Sequence, residues 1–324
     1  MIYKGFDENK WVLEGRKLFL VCRGSFDRLE ISEYIKSLDP VRFSGFTPNP
    51  KIEEVRAGIS SFNASDCDSI LAVGGGSSID VAKCIKHYSE SDVPLIVIPT
   101  TAGTGSESTH FAVVYENGNK LSIAAPELLP DIAILEPSTL KNVPEYTRKS
   151  TMLDALCHAI ESYWAKKATT ESRSYAKQAI TLVLKHKDSY LANEYEGNAG
   201  MMEAANLAGK AINISTTTAA HAMCYKITSL YGFQHGHAAA ICLPEVWMHI
   251  DAAFGPDAVP GISRDAFVSL LDSLGMEYPV SEDPERDIEV LSGSVNVQRL
   301  SNNPLPFSRD QLAAMYRNII RQKI

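Results

Sequence analysis

The sequence predicts two domains in series, an α/β domain over residues 1–143 and an all-helical domain over residues 144–324. Three observations predict this. Short apolar runs alternate with helix-like stretches as far as Leu135, the pattern of a parallel sheet joined by crossover helices. Two of those runs end in loops rich in glycine and small hydroxyl residues, where an open α/β sheet places its ligands. From Glu145 nearly to the end the period is helical, with no convincing strand.

In order, Lys17–Cys22 (KLFLVC) reads as a buried strand that stops at Arg23-Gly24-Ser25, and a helix-like stretch follows over Asp27–Leu38. Val41–Phe46 is a second strand, ended by Thr47-Pro48-Asn49-Pro50, because proline has no N–H for a ladder. Lys51–Asn63 is an amphipathic helix, Ser69–Gly74 a third strand, Val81–Tyr88 a helix and Pro94–Ile98 a fourth strand. Phe111–Tyr115 and Lys120–Ile123 form a hairpin through Glu116-Asn117-Gly118-Asn119, and Asp131–Leu135 is the last strand. Helices are then expected over roughly 145–165, 169–193, 198–213, 217–229, 239–253, 263–274 and 309–322. A Gly/Pro loop is expected over 254–262, and mixed loop and short helix over 276–305.

Composition narrows the class of partner. A chain of 324 residues with 45% hydrophobic and 22% charged content is that of an ordinary globular protein with room for a large core. A net charge of −8 argues against nucleic acid and acidic membrane surfaces. No run approaches a membrane span, and the first ten residues lack a signal-peptide apolar core. The six cysteines are scattered without CxxC spacing. Reduced thiols and a cytoplasmic location are therefore expected.

The chemistry concentrates in two places. Gly74-Gly75-Gly76-Ser77-Ser78-Ile79-Asp80 follows the third strand and opens a helix. Such glycines let a backbone approach a diphosphate, and helix N-terminal amides favour an anion. Pro99-Thr100-Thr101-Ala102-Gly103-Thr104-Gly105-Ser106-Glu107 follows the next strand, a second loop apt to hold a ribose or nicotinamide. The GxGxxG fingerprint is absent after the first strand.

The second place lies in the helical half. Asp154 and His158 are spaced i, i+4, which puts carboxylate and imidazole on one helix face. His221 lies on a later helix, and Gly232 and Gly236 put His235 and His237 in a turn beyond it. Asp154, His158, His221 and His235 together offer one carboxylate and three imidazoles, a set suited to Fe(II) or Zn(II) rather than Mg or Ca. Cys157 and Cys224 adjoin these residues and leave a thiolate ligand open as an alternative.

These motifs, with the Thr47-Pro-Asn-Pro50 loop, Lys83, His158-Ala-Ile-Glu161 and Gly209-Lys-Ala-Ile-Asn213, resemble the iron-containing (group III) alcohol dehydrogenase family over essentially the whole chain. The resemblance implies a dehydroquinate synthase-like nucleotide domain, a helical metal domain, and NAD(P)-dependent interconversion of a small alcohol and aldehyde in a homodimer or larger assembly. It places the metal on Asp154, His158, His221 and His235. Diphosphate contacts fall on Gly75, Gly76, Ser77 and Asp80, and nicotinamide or ribose contacts on Thr100, Thr101 and Thr104.

Two departures from the family pattern carry information. Many members have a second histidine one turn after the first helical ligand, and here Tyr225 stands there, a candidate proton donor or substrate-orienting group. NAD-preferring relatives tend to have an aspartate after the first strand. This chain has Cys22-Arg23-Gly24-Ser25, where Arg23 and Ser25 would welcome the 2′-phosphate of NADPH over NADH.

The His221–Gly232 run and Asn302-Asn303-Pro304 look similar to a subgroup that includes phosphonoacetaldehyde reductases. Lys226, His237 and Arg148 are the candidate cations for such a substrate, and another anionic or sugar-derived aldehyde would satisfy the same features. A dehydroquinate synthase-like lyase is the rival reading, and the intact Asp/His/His/His set argues against it.

Overall fold

The computed structural model describes residues 1–116, 119–256 and 258–323. They form two compact units, one of Met1–Pro144 with His186–Gly209, the other of Glu145–Lys185 with Lys210–Ile324.

In chain order the first unit contributes β1 (Ile2–Lys4), β2 (Leu18–Cys22), α1 (Ser32–Ser37), β3 (Val41–Phe43), α2 (Ile52–Asn63), β4 (Ser69–Gly74), α3 (Gly76–Tyr88), β5 (Leu95–Pro99), β6 (Phe111–Glu116), β7 (Asn119–Ala124) and β8 (Ile132–Leu135). Six strands form a parallel sheet in the order β1-β8-β5-β4-β2-β3. Its central strands β2, β4, β5 and β8 are buried on both faces, so they read as near-continuous apolar runs rather than alternating. Phe19, Val21, Ile70, Ala72, Leu95 and Val97 point into one core. Leu18, Leu20, Leu71, Val73, Ile96 and Ile98 point into the other.

The chain leaves β2 for β3 on one side and returns to β4 on the other. The carboxyl ends of β2 and β4, paired as Cys22↔Val73, therefore lie at the switch point of the sheet, where open α/β sheets bind ligands. The hairpin β6–β7 pairs antiparallel as expected; residues 117 and 118 of its anticipated turn lie outside the described residues, as does residue 257 of the expected Gly/Pro loop. The strand β1 was not anticipated. It is three residues long with an exposed–intermediate–exposed pattern, too short to carry a periodic signal.

The helices that follow are α4 (Glu145–Trp164), α5 (Thr170–Leu191), α6 (Tyr195–Ser215), α7 (Ala219–Tyr231), α8 (His235–Phe254), α9 (Arg264–Ser273), α10 (Pro284–Gly293), α11 (Val297–Ser301) and α12 (Arg309–Ile319). The pair β9 (Val280–Ser281) and β10 (Arg321–Gln322) adds two residues of parallel ladder that the helical reading omitted. The stretch His186–Gly209, placed by sequence in the helical domain, belongs to the first unit. Local contacts explain this. Gly105 has φ of 63°, and a Cβ there would lie 2.5 Å from the Cα of Gly209. Asn206 also donates to Glu107 at 3.3 Å, and Lys4 pairs with Glu203 at 2.8 Å. Among the described residues no helix is long and apolar enough to cross a membrane.

Candidate metal centre and nucleotide loops

Within the second unit, α4 carries Asp154 and His158, α7 carries His221, and His235 is the first residue of α8. The sequence placed His235 and His237 in a turn because Gly236 follows. The structure corrects this, since both lie in the first turn of α8 with Gln234 as N-cap. Gly236 is needed for closeness. A Cβ on it would overlap the Ser150 carbonyl oxygen and lie 2.6 Å from the Cβ of Asp154. Glycine thus lets α8 begin against α4, which brings His235 to the other ligands.

One donor atom from each of the four residues lies within 4.8 Å of the rest. Nε2 of His221, His158 and His235 faces Asp154 Oδ1 at 3.5, 3.8 and 3.9 Å, beyond hydrogen-bond length. The rings are set closely, with His158 stacked on His221 at 4.6 Å and His221 against His235 at 5.2 Å. Asp154 Oδ1 and His221 Nε2 are buried without a hydrogen-bond partner. An unpartnered buried carboxylate oxygen is costly, and two such atoms converging within one N/O donor set fit a divalent cation. The donors suit Fe(II) or Zn(II).

Glu161 supports this centre and had been noticed only as part of a motif. It is fully buried one turn beyond His158 and accepts from the hydroxyl and backbone N–H of Thr218, the Ala220 and His221 N–H groups, and His221 Nδ1. Asp154, His158 and Glu161 thus follow i, i+4, i+7 spacing along one stripe of α4. Burial opposes ionisation of Asp154 and Glu161, but the facing histidines outweigh it and hold both carboxyls below their usual range. Burial likewise opposes a charge on His221, yet Glu161 and Asp154 reverse the balance and raise it to about 10. The pocket therefore favours a positive charge, and a cation on Nε2 satisfies the same field as a proton.

The remaining candidates separate by environment. Tyr225 stacks flat on His235, with ring centroids 5.6 Å apart and 8° between planes. Lys226 is exposed on α7, and Arg148 is buried on α4. His237 is withdrawn from the substrate set. It is 2% exposed, its Nδ1 accepts from Tyr146 Oη at 2.9 Å, and its Nε2 donates to the Glu277 carbonyl at 2.8 Å. A further cation, Arg299, lies on α11 and was not among the sequence candidates. Asn296 caps that helix through Arg299 N–H at 2.8 Å and donates its own N–H to the Ala222 carbonyl at 3.2 Å. Burial pushes the Tyr225 phenol above its ordinary value, with the positive charge of Arg299 opposing that shift.

Within the first unit, the loops after β4 and β5 pack against each other. A Cβ on Gly75 would sit 3.1 Å from Thr101 Oγ1, and one on Gly76 3.0 Å from Thr104 Cγ2. The N-terminus of α3 opens here, with Gly75 as N-cap and Ser77 in its first turn, and Thr100, Thr101 and Thr104 are half-buried. Asp80 departs from the expected diphosphate role. Its carboxylate accepts from Ser106 Oγ at 2.6 Å and Val113 N–H at 3.1 Å, so it braces the second loop. Lys83, fully buried, does the same through Ser106, Thr109 and Phe111. At the end of β2, Arg23 and Ser25 are exposed. Nearby, Arg42 clasps Asp27 through two 2.9 Å hydrogen bonds.

Comparison with known proteins covers both regions of the chain. Residues 8–137 match the family model for iron-containing alcohol dehydrogenase, and residues 149–264 match its C-terminal model. The chain is 34% identical over 263 residues to 1,3-propanediol dehydrogenase of Citrobacter freundii, covering 72% of this chain and 68% of that protein. It is 31% identical over 239 residues to NAD-dependent methanol dehydrogenase of Bacillus methanolicus, covering 67% and 63%. The chain spans between 55% and 63% of the length of the first curated relatives it matches. The structure of sulfoacetaldehyde reductase from Bifidobacterium kashiwanohense, in complex with NAD+, superposes with a TM-score of 0.90 at 30% identity, covering 98% of this chain and 96% of that one. The chain belongs to the iron-containing alcohol dehydrogenase family.

Proposed function

We propose that the protein is a metal-dependent, nicotinamide-linked alcohol dehydrogenase acting as a reductase of a small anionic aldehyde, foremost phosphonoacetaldehyde to 2-hydroxyethylphosphonate. The observation that carries the activity is the convergence of three imidazole nitrogens on an unpartnered Asp154 oxygen. A divalent iron or zinc ion held there supplies Lewis acidity toward a carbonyl oxygen, worth on the order of several kcal/mol in the transition state. His221 and His235 serve as two of its holders, with Glu161 fixing the first. Gly75, Gly76 and Ser77 offer backbone and hydroxyl groups to the coenzyme diphosphate, and Thr100, Thr101 and Thr104 offer theirs to its ribose and nicotinamide. A reduced nicotinamide held by these loops would supply hydride to an aldehyde carbon, leaving the oxygen to take up a proton. Burial raises the Tyr225 phenol above its ordinary value. It therefore stays protonated at neutral pH, a donor set against the face of His235.

NADPH is the favoured coenzyme in this reading. Arg23 and Ser25 flank the end of β2, and Arg42 with Lys36 neutralises the Asp27 carboxylate nearby, so a 2′-phosphate would meet cations there. A higher kcat/KM with NADH would remove this assignment. The anionic substrate is supported by the similarity to a reductase of sulfoacetaldehyde and by the tie of the Arg299 helix, through Asn296, to the Ala222 carbonyl on α7. Another small anionic or sugar-derived aldehyde fits the same groups.

The test is NADPH oxidation by Fe(II)- or Zn(II)-loaded protein on phosphonoacetaldehyde, sulfoacetaldehyde and uncharged aldehydes of equal length. A kcat/KM preference for the anions of about a hundredfold, the scale of a hydrogen bond to a charged group, supports the reading. Equal rates on all would leave the reductase and remove the anion. No oxidation of NADPH with metal and coenzyme bound would remove the reductase.

A further inference from the structure

His235 is the ligand least protected by its surroundings. Its side chain is 37% exposed, against 7% for His158 and 2% for His221. It also starts a helix, where the backbone has the fewest hydrogen bonds to hold it. A metal-ligating imidazole is ordinarily oriented by a partner on its other nitrogen. For His221 that partner is Glu161. For His235 the same position is occupied by a sulfur, with Cys224 Sγ lying 3.6 Å from Nδ1.

Cys224 is fully buried on α7, three residues after His221, and its thiol donates to the His221 carbonyl at 3.3 Å. A thiol has one hydrogen. With that hydrogen given to the carbonyl, the sulfur faces Nδ1 as an acceptor. The proton of a neutral His235 then belongs on Nδ1, and the lone pair on Nε2, the nitrogen facing Asp154 Oδ1. The opposite tautomer would put N–H where a cation must bind. The sulfur also meets the ring on the nitrogen turned away from the donor set, which separates it from the thiolate-ligand alternative raised by sequence. Tyr225, the next residue, lies flat on the same ring at 5.6 Å. Consecutive residues of α7 thus fix both the edge and the face of His235.

We infer that Cys224 is a positioning residue of the metal centre, its sulfur accepting the Nδ1–H of His235 and so presenting Nε2 to the ion. This rests on reading the four-residue cluster as a metal centre. The experiment titrates metal-stripped full-length protein with Co(II), reading the visible absorption of the bound ion for both Kd and coordination, in wild type and in Cys224→Ala, Cys224→Val and Cys224→Ser. The Val variant keeps the side-chain volume, and its far-UV circular dichroism and apoprotein melting temperature report folding separately from metal. Ala and Val are expected to weaken Co(II) binding about tenfold or more, the usual effect of losing a ligand's outer partner. Ser keeps an acceptor at the same place and is expected to stay within about threefold of wild type. Wild-type Kd and spectrum in the Val variant would overturn the inference, as would a loss in Ser equal to that in Val. Failure of the wild type itself to take up Co(II) would instead remove the metal centre on which the inference rests.

Discussion

Arg299 shows how much one residue's placement alters the reading of the site. The cations first considered for an anionic substrate were Lys226, His237 and Arg148, chosen for nearness in sequence to the ligands. Nearness in sequence misleads on a helix, because successive side chains point about 100° apart. Lys226 is exposed, and His237 spends both ring nitrogens on Tyr146 and Glu277. Arg299 comes from about 75 residues further on, on a five-residue helix tied to the Ala222 carbonyl, so only the tertiary structure reveals it. If it anchors the anion, Arg299→Ala should lower kcat/KM for anionic aldehydes by roughly a hundredfold, about 2.7 kcal/mol. Rates on uncharged aldehydes should hold. A parallel fall on both kinds would mark Arg299 as a support for Tyr225 instead.

At the scale of elements, legibility followed how much of each element's reason is local. The strands β2, β4 and β5 are five or six residues long, mostly apolar and buried, and their runs announce them. The i, i+4 pair Asp154–His158 was likewise legible because one helix supplies its geometry. Glu161 extends that stripe by one turn, and the signal was available in its spacing. The start of α8 was misread because Gly236 is a helix breaker by propensity, and its tertiary role outweighs that.

Magnitudes make the α8 case testable. Glycine to alanine in a helix normally gains about 1 kcal/mol. At Gly236 the new methyl would overlap the Ser150 carbonyl and crowd Asp154, and overpacking costs about 1–3 kcal/mol. Gly236→Ala should therefore lower the melting temperature and weaken metal binding together, since α8 can relieve the clash only by moving His235. A more stable variant with unchanged metal affinity would refute this.

The loop after β5 offers the companion case. Lys83→Met removes the hydrogen bonds to Ser106, Thr109 and Phe111 and the positive charge that favours the Asp80 carboxylate. Leaving those buried acceptors unpaired is expected to cost about 1–3 kcal/mol, with weaker coenzyme binding. Burial lowers the Lys83 ammonium to about 8, against 10.5 when unfolded. Between those values the unfolded chain holds more protons, so this group's contribution to stability rises with pH. Urea titrations from pH 8 to 10 should show that rise in wild type relative to Lys83→Met.

At the scale of the whole molecule, the two sites draw on separate parts of the chain. All four metal donors lie in the unit of Glu145–Lys185 and Lys210–Ile324, and both glycine loops lie in the other. Metal binding stabilises only the state that holds the four donors together, by RT ln(1 + [M]/Kd), about 4 kcal/mol when the free metal is about a thousandfold above Kd. A chelator should therefore lower the melting temperature and abolish turnover. Coenzyme binding, read by the fluorescence of NADPH, should survive, because Gly75, Gly76 and the threonine loop owe their geometry to the sheet ends and to Asp80 and Lys83. His235→Ala should behave as the chelated wild type does, with activity lost and the coenzyme Kd within about threefold, a difference of about 0.7 kcal/mol. The ligand mutation and metal removal then serve as independent routes to one state. If His235→Ala kept turnover without metal, or if chelation also abolished NADPH binding, the division of labour between the two parts of the chain would be wrong.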